Sequence, residues 1–304
     1  MNATVALTGA TGFIGKHIAE HLLAAGFIVR ALTRSPEKSA DRRLAWVHGS
    51  LESSDSLREL VRGADSVVHC AGRVRGQSQA AFMTSNVTGS TRLLEMAKEN
   101  SCCKRFLFIS SLAARHPHLS WYAHSKYVAE QRLTAEKGPL ALGIFRPTAV
   151  YGPGDKELQP LFRWLLRGLL LRLGQPQTQL SFLHVCDLAH AVIRWLQHHD
   201  AAAGPYELCD GLPGGYSWPR LREIGAAVRH GPVRLVGIPL PVLRLLAHLS
   251  QALQRISRKE PMLTQSKIGE LTHPDWSASN QLLSERIDWA PTIRLEQALR
   301  DELF

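Results

Sequence analysis

Tyr122 and Lys126 stand four residues apart in Tyr122-Ala123-His124-Ser125-Lys126. On a helix that spacing holds a phenol and an ammonium on one face. A cation beside a phenol favours the phenolate and brings a group of ordinary pKa about 10 towards the range useful for acid–base work. Ser110 and Ser111 follow the apolar run Phe106-Leu107-Phe108-Ile109, and a hydroxyl at that end of a strand can hydrogen-bond a substrate oxygen. Adjacent serines also serve ordinary turns, so the acid–base interpretation rests on these groups occurring together.

A second cluster lies near the start of the chain, in Thr8-Gly9-Ala10-Thr11-Gly12-Phe13-Ile14-Gly15. It follows the strand-forming run Ala3-Thr4-Val5-Ala6-Leu7 and precedes Lys16-His17-Ile18-Ala19-Glu20-His21-Leu22-Leu23, which has helical periodicity. Strand, glycines and helix in that order are what a dinucleotide-binding turn requires. Glycine lets backbone approach a pyrophosphate, and the helix N-terminus offers unpaired N–H groups and a favourable dipole. Gly9, Thr11, Gly12, Phe13, Ile14 and Gly15 are the candidate binding residues. Their spacing is Gly-x-x-Gly-x-x-Gly, not the Gly-x-Gly-x-x-Gly of many dehydrogenases. After the next candidate strand comes Val29-Arg30-Ala31-Leu32-Thr33-Arg34-Ser35-Pro36. An acid at that strand end would bind the ribose hydroxyls of NAD. Arg34 stands there instead, with Lys38 four residues on, and a guanidinium suits bidentate recognition of a phosphate. The expectation is NADP(H), with NAD(H) as the alternative.

The elements that must position these groups alternate through the first half. Candidate strands are 3–8, 27–33, 44–48, 65–70, 105–110 and 140–146; candidate helices are 13–25, 55–62, 80–99 and 120–137. Apolar strands alternating with helices predict an α/β fold, a doubly wound parallel sheet buried on both faces. Ligands of such sheets bind outside the C-terminal ends of the strands. Beyond that half the alternation breaks down. Residues 155–173 form a Leu-rich amphipathic segment, 181–208 return to strand, helix and strand, and 211–304 are Pro-punctuated helices. The expected organisation is a dinucleotide-binding Rossmann domain over 1–153, with 181–208 returning to it, and a smaller, mainly helical substrate lobe within 154–304.

The chain has 304 residues, 45% of them hydrophobic and 20% charged, as in a folded globular protein. Its 36 Lys and Arg against 26 Asp and Glu give a net charge of +10. The cations are scattered along the chain, which predicts a solvated surface plus phosphate recognition and no specific nucleic-acid site. Five cysteines show neither a metal spacing nor a disulfide framework, and His198-His199-Asp200 has no partner ligands. No metal is expected. The sequence opens directly into a strand, without a signal-type region, and no apolar run reaches the ~18 residues of a spanning helix. A soluble cytoplasmic protein is the expectation.

Taken together, these residues resemble the extended branch of the short-chain dehydrogenase/reductase superfamily. Thr8 to Gly15 looks like its cofactor fingerprint. Asp65-Ser66-Val67-Val68-His69-Cys70-Ala71-Gly72 is similar to the strand passing under the adenine, and Asn86-Val87-Thr88-Gly89-Ser90 to the family's Asn-containing helix segment. Arg146-Pro147-Thr148-Ala149-Val150-Tyr151-Gly152-Pro153 and Phe182-Leu183-His184-Val185-Cys186-Asp187-Leu188-Ala189 resemble two later blocks. The resemblance implies Tyr122 as proton donor or acceptor, and Lys126 as the group that lowers its pKa and holds the nicotinamide ribose. It further implies Ser111 as the hydroxyl that polarises the reacting oxygen, Asn86 as a supporting polar residue, and Ala71, Gly72 and Pro147 as cofactor contacts. The family's usual Gly-Asp after the third strand reads Gly49-Ser50 here. The Arg34 segment resembles NADPH-dependent dihydroflavonol and aldehyde reductases more than NAD-retaining sugar-nucleotide epimerases.

Arg73 and Arg75 follow the fourth candidate strand, where either could meet an anionic substrate group; a solvated loop is the alternative. The apolar stretches 161–171 and 238–256 could line an apolar pocket, form core or a homodimer interface, or rest on a membrane surface. Three function classes follow: an NADP-dependent oxidoreductase acting on a small molecule's carbonyl or hydroxyl, a sugar-nucleotide epimerase or dehydratase, and a non-catalytic dinucleotide sensor or RNA-associated scaffold. Tyr122, Lys126 and Ser111 together count against the third, and the Arg34 segment favours the first over the second.

Overall fold

The computed structural model describes residues 3–35, 37, 39–76, 78–198, 204–257 and 265–304. Lys38, His199 and Asp200 lie outside them. The first half comprises β1 (Thr4–Thr8), α1 (Phe13–Ala24), β2 (Ile28–Thr33), β3 (Leu44–His48), α2 (Ser54–Val61), β4 (Ser66–His69), α3 (Gln79–Phe82), α4 (Gly89–Glu99), β5 (Arg105–Ile109), α5 (Trp121–Glu136) and β6 (Ala141–Pro147). Then come β7 (Ala149–Tyr151), α6 (Gln159–Leu166), β8 (Leu169–Leu173), β9 (Gln179–Leu180), β10 (Phe182–His184), α7 (Val185–Gln197) and β11 (Tyr206–Leu208). The chain ends with β12 (Tyr216–Ser217), α8 (Trp218–Arg229), β13 (Arg234–Ile238), α9 (Leu240–Ser257), α10 (Gln265–Thr272), α11 (Gln281–Ile287) and α12 (Leu295–Arg300).

Seven parallel strands form the central sheet in the order β11-β6-β5-β4-β1-β2-β3. Strands added after β1 run outwards one way through β2 and β3, and the other way from β4 to β6. The order therefore reverses beside β1, opening a crevice at the strand C-termini where doubly wound sheets take their ligands. Apolar side chains fill both faces of the sheet. Leu7, Ile18, Leu22, Leu188 and Trp195 pack between the sheet, α1 and α7; Ala6, Leu57, Leu93, Phe106 and Leu133 pack on the other face with α2, α4 and α5. This two-sided burial is why the strands read as continuous apolar runs.

A third core packs Tyr151, Phe162, Phe182, Tyr216 and Trp218 with residues of α6, α8 and α12. Not all of the C-terminal stretch joins it, because Leu283, Ile287 and Trp289 enter the large core beside the sheet. The buried Asp187 carboxylate accepts hydrogen bonds from the Thr292 N–H and hydroxyl and from the Ile293 N–H, at 2.8–3.0 Å, tying this returning segment to α7.

Three details depart from the sequence expectations. The Leu-rich segment 155–173 is only half helix. Gly168, at φ +93°, ends the helical part, and β8 then pairs in parallel with β13. The helix expected over 80–99 contains a π-helical turn, Met83–Thr88, which holds Asn86. Several arginines are internal clamps instead of solvated charges. Arg105 donates to the carbonyls of Trp195, Leu196 and His198 at the C-terminus of α7, where a cation suits the dipole. Arg30 binds the Leu60 carbonyl and Glu59. The five cysteines are unpaired. Among the described residues, no helix is long and apolar enough to cross a membrane, and no cluster of three or more His, Cys, Asp or Glu side chains could hold a metal.

Candidate active site

β1 delivers the glycine turn to the crevice. Gly9 has φ +79°, and a Cβ there would lie 2.7 Å from the Ala71 amide nitrogen. A Cβ on Gly15 would come within 2.0 Å of the Gly9 carbonyl oxygen, so α1 approaches the turn at a distance only glycine permits. Gly12 precedes α1, its N–H donating to the Gly9 carbonyl at 2.9 Å, and provides no capping side chain. The first turn of α1 carries no acid either. Its N–H groups, led by Phe13 and Ile14, therefore keep their donors and their dipole for an anion. Thr11 and Gly12 are exposed on the lip. This backbone cradle fits a dinucleotide pyrophosphate.

Behind the turn runs a buried polar chain. The Ala71 N–H donates to Thr8 Oγ1 at 3.1 Å, Thr8 Oγ1 meets His69 Nδ1 at 2.6 Å, His69 Nε2 meets Ser90 Oγ at 2.7 Å, and Ser90 donates to the Asn86 carbonyl at 2.6 Å. Since Ser90 donates to Asn86, it accepts from His69 Nε2–H, which leaves Nδ1 to accept from Thr8. Every partner is satisfied by a neutral imidazole in that tautomer. Burial, reinforced by the Lys126 charge, holds the His69 pKa down at about 3. The chain couples the cofactor turn to the π-helical turn.

Asn86 continues the connection. Its Oδ1 accepts from the Arg73 N–H at 2.6 Å, and its Nδ2 donates to the Arg73 carbonyl at 3.0 Å and to Ser125 Oγ at 2.9 Å. It thus clamps the loop after β4 to α5, the helix of Tyr122 and Lys126. Asn86 lies within the π-helical turn, a rare local geometry that recurs at functional sites. A Cβ on Gly72 would sit 3.2 Å from Asn86 Oδ1 and 3.3 Å from Lys126 Nζ, so the loop lies close against both.

Ser120 caps α5 by accepting the Ala123 N–H at 2.9 Å. One turn in, Lys126 Nζ donates to the Ile109 carbonyl at 2.8 Å and lies 4.7 Å from the centre of the Phe108 ring. Burial lowers its pKa to about 8. Tyr122 faces Ser111, whose hydrogen bond favours the phenolate, but burial dominates and raises the phenol pKa above its ordinary value. This departs from the expectation of a phenol pulled down by its lysine. The Lys126 charge is engaged at the end of β5, while burial, Glu270 and Cys70 all oppose ionisation of the phenol. The two serines have separate surroundings. Ser110 is buried and donates to Glu130 Oε1 at 2.5 Å, in an ion pair with Arg146. Ser111 accepts the Ala113 N–H at 3.2 Å, opening a short 3-10 turn over Leu112–Arg115. Pro147 is buried at the end of β6, beside β5.

Arg34 directly follows β2 and lines an open cavity of about 260 Å³ together with His48, Gly49, Ser50 and Ser53. Among the described residues, no carboxylate lines it. Arg75 forms an ion pair with Glu157, so the charge expected to meet an anionic substrate group already has a partner. Arg73 is held through its backbone by Asn86, and its guanidinium reaches the Arg75 carbonyl at 3.5 Å. Sequence reasoning missed His69, Ser90, Ser120, His48 and Glu270. A histidine in the otherwise apolar β4 was the available signal for the first. Glu270, on α10, reaches the site only by tertiary packing: it accepts from the Ser120 hydroxyl, while Ser266 Oγ accepts the Trp121 N–H at 3.0 Å. Burial raises its pKa.

A parallel sheet with a glycine cradle at its strand-order reversal, and a Ser, Tyr and Lys set beside it, defines an extended short-chain dehydrogenase/reductase. The chain belongs to the NAD dependent epimerase/dehydratase family, whose pattern matches residues 5–209. It is 32% identical over 286 residues to the ceramide reductase of Caulobacter vibrioides, covering 93% of this chain and 88% of that one. It is 29% identical over 237 residues to the UDP-glucose 4-epimerase of Vibrio cholerae, covering 69% of this chain and 72% of that one. Among solved structures, UDP-glucuronic acid 4-epimerase from Bacillus cereus, in complex with UDP-glucuronic acid and NAD, matches with a TM-score of 0.75 at 18% identity, covering 99% of this chain and 98% of that one. The protein is an enzyme of a family whose relatives include reductases, dehydrogenases and epimerases.

Proposed function

We propose that the chain is an NADPH-dependent reductase acting on a carbonyl of an apolar, lipid-like small molecule. The observation that carries this proposal is the Ser111–Tyr122 pair beside the end of β5, with a phenol that burial keeps protonated. A phenol there can give its proton to an oxygen that gains charge in reduction, and the same group takes the proton back in the reverse, oxidative direction. Similarity to a ceramide reductase over nearly the whole chain supports the substrate class.

The backbone around Gly9, Thr11, Gly12, Phe13, Ile14 and Gly15 would hold the pyrophosphate. Ala71, Gly72 and Pro147 would line the cofactor's path across the sheet edge, and Lys126 would hold the nicotinamide ribose. Arg34, with His48, Ser50 and Ser53 in the same cavity, would take a ribose phosphate, which favours NADP(H) over NAD(H). When bound, the nicotinamide supplies a hydride. Ser111 donates a hydrogen bond to the carbonyl oxygen, and Tyr122 passes its proton to that oxygen as charge develops there. Asn86 positions the loop after β4 against α5. Residues from 154 onwards, apart from 181–208, contribute most of the substrate lobe. Arg75, paired with Glu157, ties the loop after β4 to the segment before α6, and Arg73 beside it remains the candidate for an anionic substrate group.

Mass spectrometry of nucleotide released on denaturing the purified protein, paired with turnover of a long-chain ketone by NADPH, tests the proposal. Exchangeable NADP(H) with turnover is the expected result. Stoichiometric, tightly held oxidised NAD, with interconversion of UDP-sugars, would establish the epimerase alternative instead.

A further inference from the structure

α9 presents its apolar residues to solvent. At about 100° per residue, Val242, Leu245, Leu246 and Leu249 fall within an arc of about 100°. All four are exposed, Leu245 at 58% and Leu249 at 51% of its surface. The opposite face is already buried, with Leu243 and Ala247 packed on Ile268 beside Leu173 and Ile238. The stripe is therefore additional to the contacts that hold α9 in place. Leu240 and Val236 extend the exposed apolar surface at the start of the helix and on β13, and Trp164 is exposed on α6. A contiguous apolar surface of this kind on a folded protein marks an interaction site.

Charge identifies the occupant. No Asp or Glu occurs between Glu157 and Asp187, a stretch carrying Arg163, Arg167 and Arg172, and none occurs between Glu223 and Glu260, where Arg234 falls. Parallel pairing of β8 with β13, and packing of α6 on α8, bring the two acid-free stretches together. Arg163, Arg167 and Arg234 are exposed on this block. Aliphatic side chains along one helical face, with the exposed cations Arg163, Arg167 and Arg234 on the adjoining elements, are the features of a helix that lies in the interface of an anionic bilayer.

We propose that this face of α9, with its basic surroundings, docks the enzyme on an anionic lipid bilayer. The proposal is independent of the reductase assignment. It places the membrane close to the cleft, since α10 lies under α9 and contributes Glu270 beside Ser120. The full chain, incubated with vesicles of phosphatidylglycerol and phosphatidylcholine or of phosphatidylcholine alone, should float with the first at least about tenfold more than with the second, and less at high salt. A Leu245→Gln/Leu249→Gln variant should lose about tenfold or more of that binding. Its unchanged melting temperature and nucleotide binding would show that the fold is intact. Failure to float with either vesicle, or equal binding to both, would overturn the proposal. So would a dimer in solution that the double variant dissociates, which would make the stripe a contact between copies.

Discussion

Around β1 and β4 the chain buries polar groups and satisfies them in series. Thr8, His69, Ser90 and Asn86 each find a partner at 2.6–3.1 Å, in surroundings that hold the imidazole neutral. On α9 the chain does the reverse, leaving four aliphatic side chains in water on a helix whose inner face is already packed. Both arrangements are costly in isolation, since buried polar groups need partners and exposed apolar groups order water. The first is compensated inside the molecule and fixes the geometry of a reaction site. The second has no such compensation among the described residues, and the proposed bilayer contact would supply it.

The comparison breaks most sharply at Tyr122. Tyr122→Phe should lower turnover by about 10³-fold while nucleotide affinity stays the same; near-normal turnover would remove Tyr122 from the proton-donor role. On the structural side, Gly15→Ala forces a Cβ against the Gly9 carbonyl, which cannot yield without moving α1. The expected result is a loss of several kcal/mol of stability, or a protein that no longer binds nucleotide, read by denaturant unfolding and cofactor titration. Leu243→Ala, on the inner face of α9, should cost about 2–5 kcal/mol by the same unfolding measurement.

The reaction half was largely legible in sequence, because its signals are local. A glycine turn, a Tyr-x-x-x-Lys step and a serine after an apolar strand each lie within a few residues of one another, and backbone geometry does the rest. Arg34 was legible as a missing acid at a strand end; its companions His48 and Ser53 were not, since the ends of β2 and β3 meet only when the two strands pair. Glu270 was invisible because nothing in Gln265–Thr272 indicates that it will settle beside Ser120, 150 residues earlier. The direction of the Tyr122 pKa also escaped, because spacing reveals a neighbouring cation but not how much water the fold removes. The apolar character of 238–256 was plain, whereas which of its leucines face outward depended on where Ile268 packs.

Arg34→Ala sharpens the cofactor side. Removing a charge-assisted contact of roughly 1.5–3 kcal/mol should weaken NADPH binding by about 10- to 100-fold and leave NADH binding unchanged. Equal losses for both nucleotides would deny Arg34 a role in phosphate recognition. The buried chain has its own signature in pH. His69 has a folded pKa of about 3 against 6.5 when exposed, so between those values the unfolded chain binds a proton that the folded chain does not. The sign follows: stability falls as pH drops below about 6.5, by about 1.4 kcal/mol per pH unit. Denaturant unfolding at pH 4.5 and pH 7 should show this slope, and His69→Asn should flatten it.

The smallest expected effect discriminates most finely between the two regions. Leu245→Gln removes a large apolar side chain, as Leu243→Ala does, yet it should change stability by no more than about 0.5 kcal/mol, because its side chain stands in solvent and fills no cavity. A helix retained only for folding would gain solubility from such a change and lose nothing. If Leu245→Gln instead costs as much as the change at Leu243, the stripe is packed against something within the folded protein and the contrast between the two faces of α9 fails. If the melting temperature holds while vesicle binding drops, the same leucine is neutral for folding and required for docking, as an interaction surface demands and a core does not.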